Sequence, residues 1–172
     1  GDLNAAISSY QQALKLKPDY PEAHYNLGIV LQQQGDFKAA ISSYQQAIKL
    51  KHDYPQNHNN LGNALKEKGD LNAAISSYQK ALKLKPDYPE AHINLGIVLQ
   101  QQGDLKAAIS SYQQAIKLKP DYPEAHFNLG NALQEQGDLN AAITSFQQAI
   151  KLRLDFSEAH YNLGNALQEQ GD

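Results

Sequence analysis

The stretch PEAHYNLGIVLQQQGDFKAAISSYQQAIKLK, residues 21–51, decides the fold. Ala23, Leu27 and Leu31 recur every four residues with Val30 beside them, an apolar stripe along one face of a helix. Pro21 suits the first helical turn, where its missing N–H costs nothing, and Glu22 suits the positive end of the dipole. Gly35 ends this helix and Asp36 can cap the next. Phe37, Ala40, Ile41, Tyr44, Ala47, Ile48 and Leu50 then recur at threes and fours, which is a second helix. A connection of a few residues makes the two helices antiparallel neighbours.

The pair repeats along the whole chain. Gly-Asp begins at Gly1, Gly35, Gly69, Gly103, Gly137 and Gly171, each 34 residues after the last. Five periods fill the chain, so no linker and no second domain are expected. Proline closes most second helices, as at Pro18, Pro86 and Pro120. Gly28 recurs as Gly62, Gly96, Gly130 and Gly164. A helical glycine costs about 1 kcal/mol relative to alanine. Its recurrence therefore predicts a close approach of the second helix, at Ala40 and its equivalents.

The period, the Asn-Leu-Gly of the first helix, the Ala-Ala-Ile-x-x-Tyr-x-x-Ala of the second and the closing Lys-Pro-Asp resemble the tetratricopeptide repeat. The resemblance covers the whole chain. It implies an all-α fold: a right-handed superhelical solenoid of antiparallel helix pairs, about ten helices, with first helices on the concave side. The expected divisions are a lone second helix in 1–20, full repeats at 21–54, 55–88, 89–122 and 123–156, and a lone first helix in 157–172. The family's large aromatic early in the first helix is replaced by His24, His58, His92, His126 and His160.

Composition narrows the function classes. The net charge of −3 gives no reason to expect a nucleic acid or an anionic membrane surface. Cysteine is absent, which removes disulfides, thiolate metal sites and cysteine nucleophiles. No apolar run approaches the roughly 18 residues of a membrane helix. Methionine is absent even at position 1, so the sequence reads as a segment of a longer or processed protein. A cytoplasmic location is the expectation, although no residue specifies a compartment.

Periodic sequences offer few singular constellations for catalysis. Five of the six histidines share one repeat position, too far apart to share a zinc ion, and read as packing residues. His52 and His58 lie together in HDYPQNHNN, the least regular stretch, where His52 replaces a proline and Asn57 an alanine. Lys15, Lys17, Lys49, Lys51, Lys83, Lys85, Lys117, Lys119, Lys151 and Arg153 all fall in the last turns of second helices, where the dipole favours cations. Tyr44, Tyr78 and Tyr112 read as core, and Tyr20, Tyr54, Tyr88 and Tyr122 as covers over repeat junctions. With no phosphate loop, no triad and no acid pair, no enzyme activity, cofactor or metal is expected.

The asparagines remain. Asn26, Asn60, Asn94, Asn128 and Asn162 recur off the apolar stripe, with Asn63, Asn131 and Asn165 three residues further along the same face. Side-chain amides donate and accept, so they can grip a peptide backbone of any sequence. Helices about 10 Å apart match roughly three residues of extended chain. This face is similar to the asparagine-lined superhelix of the O-linked N-acetylglucosamine transferases, which implies a groove holding extended polypeptide. The competing possibility is that these amides only bond neighbouring helices. The family's clamp for a C-terminal carboxylate needs lysine where Tyr25, Asn59, Ile93 and Phe127 stand, so chaperone-tail binding is not implied.

The leading expectation is thus a scaffold that binds an extended, neutral to basic polypeptide segment, with neither nucleic acid nor membrane as partner. The alternatives are a spacer or self-assembling rod and the substrate-recognition arm of a larger enzyme. Leu3, Ile7, Tyr10 and Leu14 at one end, and Leu163 and Leu167 at the other, are expected to leave complementary apolar faces for weak head-to-tail association.

Overall fold

The structure, a computed structural model, describes residues 2–171. Among them there are ten helices and no strand: α1 (Leu3–Leu16), α2 (Pro21–Gln33), α3 (Phe37–Leu50), α4 (Pro55–Glu67), α5 (Leu71–Leu84), α6 (Pro89–Gln101), α7 (Leu105–Leu118), α8 (Pro123–Gln136), α9 (Leu139–Leu152) and α10 (Ser157–Gln170). They fall into two compact units, 2–86 with α1–α5 and 87–171 with α6–α10.

The Gly-Asp dipeptide does two jobs at each turn. Gly35 has φ +85°, a left-handed conformation open to a residue without Cβ. That turn lets the Asp36 N–H reach the Leu31 carbonyl at 3.0 Å and the Gly35 N–H reach that of Gln32 at 3.0 Å, satisfying the end of α2. The Asp36 carboxylate then accepts from the Ala39 N–H at 3.0 Å and caps α3. Asp2, Asp70, Asp104 and Asp138 cap α1, α5, α7 and α9 in the same way.

First helices start differently. A proline occupies the first turn of α2, α4, α6 and α8, and no side chain caps them. The histidine one turn in holds the preceding loop instead. His24 Nε2–H donates to the Pro18 carbonyl at 2.9 Å, His126 to Pro120 at 2.9 Å, His58 to His52 at 3.2 Å and His160 to Leu154 at 3.1 Å. The ring therefore does more than pack: it fixes the entry of the chain into the helix. His52 keeps this arrangement because the bond uses a backbone carbonyl, which any residue supplies.

In the unit of α1–α5, α2 packs most extensively on α3 and α4 on α5. The buried side chains of these pairs are Ala23, Leu27 and Leu31 on α2, Ala40, Tyr44 and Ala47 on α3, Leu61, Ala64 and Leu65 on α4, and Ala74, Tyr78 and Ala81 on α5. In the unit of α6–α10, the pairs α6·α7 and α8·α9 do the same. There Ile93, Tyr112, Leu129, Leu133 and Phe146 form one core cluster.

The recurrent glycine does meet a close neighbour in the second helix, and the atoms nearest to it are those of the aromatic ring. A Cβ on Gly28 would lie 2.6 Å from Tyr44 Cε1, one on Gly62 2.6 Å from Tyr78, one on Gly96 2.5 Å from Tyr112 and one on Gly130 2.6 Å from Phe146. Ala40, on the same second helix, is fully buried. At Gly164 no atom lies within 4 Å of such a Cβ.

Candidate peptide-binding face

The eight asparagines divide into those that the protein uses internally and those that it does not. In the first unit, Asn60 Nδ2 donates to the Tyr25 hydroxyl at 3.0 Å. Asn63 Oδ1 accepts from the Tyr78 hydroxyl at 2.8 Å. Asn26 is half-buried and makes no side-chain hydrogen bond among the described residues. In the second unit, Asn162 Nδ2 donates to Asn131 Oδ1 at 2.7 Å. Asn94 and Asn128 are half-buried and Asn165 is exposed.

The buried aromatic of each second helix explains part of this division. Burial pushes the hydroxyls of Tyr44, Tyr78 and Tyr112 well above the usual tyrosine range, so they stay neutral donors. Each needs an acceptor at the rim of its own first helix. Gln32 Oε1 takes the Tyr44 hydroxyl at 3.0 Å and Gln100 Oε1 takes that of Tyr112 at 3.0 Å. Where Asn63 is present, it takes the Tyr78 hydroxyl in their place. Phe146 has no hydroxyl, and the Asn131 carbonyl beside it turns to Asn162. Ile29 and Ile97 are thus paired with the two repeats in which glutamine does the accepting.

Further amide and carboxylate bonds run along the first helices. Gln100 Nε2 donates to Glu135 at 2.9 Å, and Gln134 Nε2 to Glu169 at 3.0 Å. Two clefts open on this side of the first unit. One, of about 240 Å³, lies among Glu22, Tyr25, Asn26, Lys51, Tyr54 and Asn57. The other, of about 350 Å³, lies among Ile29, Gln32, Gln33, Tyr44 and Asn60.

The basic residue closing α1, α3, α7 and α9 does not only face the dipole; it lies on the aromatic ring three residues on. Lys17 Nζ is 4.7 Å from the Tyr20 ring centroid, Lys51 4.9 Å from Tyr54, Lys119 4.3 Å from Tyr122, and the Arg153 guanidinium carbon 3.5 Å from Phe156. The signal was there in the recurring Lys-x-x-Tyr spacing, which a cation–π contact uses directly. Arg153 also donates to Glu124 at 2.8 Å, whereas Lys51 stands 3.7 Å from Glu22.

The irregular stretch around His52 and His58 holds no metal cluster: among the described residues no group of three candidate ligands comes together. Burial lowers the His58 pKa, with a smaller opposing effect from its bond to His52 and a smaller lowering by Lys80. Asn57, at an alanine position, is 3% exposed and its Oδ1 accepts no hydrogen bond; Gln56 Oε1 beside it is likewise unpaired. A buried acceptor left without a donor costs about 1–3 kcal/mol. No described helix is long and apolar enough to cross a membrane.

The TPR repeat pattern matches residues 1–35, 32–69, 62–103, 100–137 and 130–171, nearly the whole chain. The chain belongs to the tetratricopeptide-repeat family. Solved TPR structures superpose closely. MamA is 28% identical, with 92% of each chain covered and a TM-score of 0.86. A chain of the APC/C hetero-tetramer Cut9-Hcn1 is matched at 25% identity over 97% of this chain and 34% of that one, with a TM-score of 0.84. YrrB, described as a TPR protein with an unusual peptide-binding site, is 23% identical over 93% of this chain and 82% of its own, with a TM-score of 0.81. At that identity it speaks to the fold alone. A search of curated proteins gives no match. TPR domains generally mediate protein–protein interactions, and the fold is typically a non-catalytic scaffold.

Proposed function

We propose that this TPR chain holds an extended polypeptide segment, neutral to basic, against the amide-bearing side of its first helices. The observation that carries this is the pair Asn26 and Asn128. Both are half-buried at corresponding positions of two repeats, and neither spends its side chain on the protein. Asn165, exposed, adds a third. Asn60, Asn63, Asn131 and Asn162 are held by internal bonds, so they contribute whatever lone pairs and N–H groups those bonds leave. The likeness to the ladder of the O-linked N-acetylglucosamine transferases therefore rests on the unengaged members. YrrB, which shares the fold, is described as having a peptide-binding site. The finer possibility of a recognition arm for a larger enzyme belongs to this proposal too, since such an arm binds extended substrate.

The test is retention of a degenerate peptide library by the wild-type chain and by Asn26→Ala/Asn128→Ala. Retention by the first and loss by the second, at unchanged helicity, supports the face. Equal retention by both removes it.

Head-to-tail assembly is the second reading, favoured by Gly164, where no atom lies within 4 Å of an added Cβ, and by α1, none of whose residues is buried. Light scattering up to millimolar concentration, with Ile7→Glu as control, decides it: a strict monomer excludes the rod.

A further inference from the structure

We propose that the cleft among Glu22, Tyr25, Lys51, Tyr54 and Asn57 is a pocket for an arginine side chain of the bound polypeptide. The proposal deepens the peptide-binding function and rests on it, naming the side chain that one part of the face selects.

The molecule carries its own template for such a site. In the second unit, Arg153, Glu124, Phe156 and Phe127 stand at the repeat positions of Lys51, Glu22, Tyr54 and Tyr25. There the guanidinium donates to Glu124 at 2.8 Å and its carbon lies 3.5 Å from the Phe156 centroid. Phe127 and Phe156 back it with centroids 4.9 Å apart, and Phe156 is only 7% exposed. A planar guanidinium thus closes this constellation, stacked on one ring and paired with one carboxylate.

In the first unit the same parts are present and the site is open. Lys51 offers a compact ammonium, 3.7 Å from Glu22 and 4.9 Å from the Tyr54 centroid. Tyr54 stays 43% exposed, and a cleft of about 240 Å³ remains. The pair is loose, with 43% and 58% of the two side chains exposed, so an incoming cation can displace Lys51 while keeping Glu22 neutralised.

Asn57 supplies an independent reason. It lines this cleft, stands where Ala159 stands in the closed copy, and leaves its buried Oδ1 without a donor. A guanidinium has five N–H groups in a fixed fork. Two suit the Glu22 carboxylate, and others remain for an amide oxygen that nothing in the chain satisfies. A lysine ammonium brings charge without the fork or the stacking plane, and a neutral side chain brings no counter-charge for Glu22.

The experiment uses the 172-residue chain and a blocked peptide, acetyl-Ser-Ala-Gly-Xaa-Gly-Ala-Ser-amide, with arginine, lysine or citrulline at Xaa. Calorimetry gives affinity, and NMR follows the side-chain amides of Asn57, Asn26 and Asn128. The arginine peptide should bind and shift the Asn57 signals, with lysine and citrulline weaker by about tenfold or more. Lys51→Arg, which supplies from within the group that Arg153 supplies in its own repeat, should abolish the arginine preference. Lys51→Ala should keep or raise it, and Asn57→Ala should lower it. Equal affinity for the three peptides, or a preference that survives Lys51→Arg with helicity intact, overturns the pocket. If the Asn26 and Asn128 signals still move in that case, the peptide-binding face stands without it. If no peptide shifts any of these signals, both fall.

Discussion

Gly96 and Tyr112 are in such close register that a Cβ on the glycine would sit 2.5 Å from Cε1 of the ring. The ring is fully buried and its hydroxyl is anchored on Gln100, so it has nowhere to retreat. Gly164 occupies the same repeat position with nothing within 4 Å. The two glycines give opposite predictions. Gly96→Ala should destabilise by about 1–3 kcal/mol through overpacking. Gly164→Ala should stabilise by up to about 1 kcal/mol through helix propensity alone. Urea unfolding of the two variants checks the sign; the same sign for both would contradict the close-approach explanation.

The hydroxyl of Tyr78 on Asn63 and the missing hydroxyl of Phe146 form a second natural contrast. Tyr78→Phe should cost about 1 kcal/mol, the net worth of an ordinary hydrogen bond. Tyr78→Phe/Asn63→Ile should recover most of that loss, since the pair then matches the apolar rim at Ile29 and Ile97. A double-mutant cycle measures the coupling, which should vanish if the bond contributes nothing.

Asn57→Ala should raise stability by about 1 kcal/mol, because it removes a buried acceptor that has no donor. Alanine at this position is fully buried at Ala91, Ala125 and Ala159. A thermal melt checks the direction, and a lower midpoint would mean that the amide packs better than its bonding indicates.

His58 makes stability depend on pH. Burial holds its folded pKa below the ordinary histidine value of about 6.5, so the unfolded chain takes up the proton first as pH falls. The unfolded state then binds more protons, and stability rises with pH in that window. The contribution is complete above about pH 6.5 and is lost progressively as pH falls from there toward the depressed folded value. His58→Gln should flatten this acid limb in denaturant titrations at pH 7 and pH 5.5, while the wild type weakens at the lower pH. An identical slope in both proteins would place the acid sensitivity elsewhere.

Much of the candidate face was legible in the residues, and its division was not. The recurrence of Asn26, Asn60, Asn94, Asn128 and Asn162 marks one helix face, because spacing along a helix fixes direction. Which amides are engaged depends on partners 15 to 35 residues away. Asn63 meets Tyr78, Asn60 meets Tyr25 and Asn162 meets Asn131 only once helices are stacked. The same holds for Arg153 against Lys51: the sequence shows two cations at one position, and distances alone separate the closed site from the open one.

The sequence by itself determined the helices, their caps and their period. These follow from local rules: a glycine that can turn left-handed, an aspartate three residues before an N–H, and apolar spacing of threes and fours. Tertiary structure alone decided that the atoms nearest the recurrent glycine belong to the ring of Tyr44. It alone decided that His24, His58, His126 and His160 each clasp a carbonyl six residues back, and that Asn57 is left with an unmet oxygen. Those outcomes depend on where a neighbouring helix places a ring, a carbonyl or no donor at all. Such distances are set by packing between elements, which residue spacing within one element does not encode.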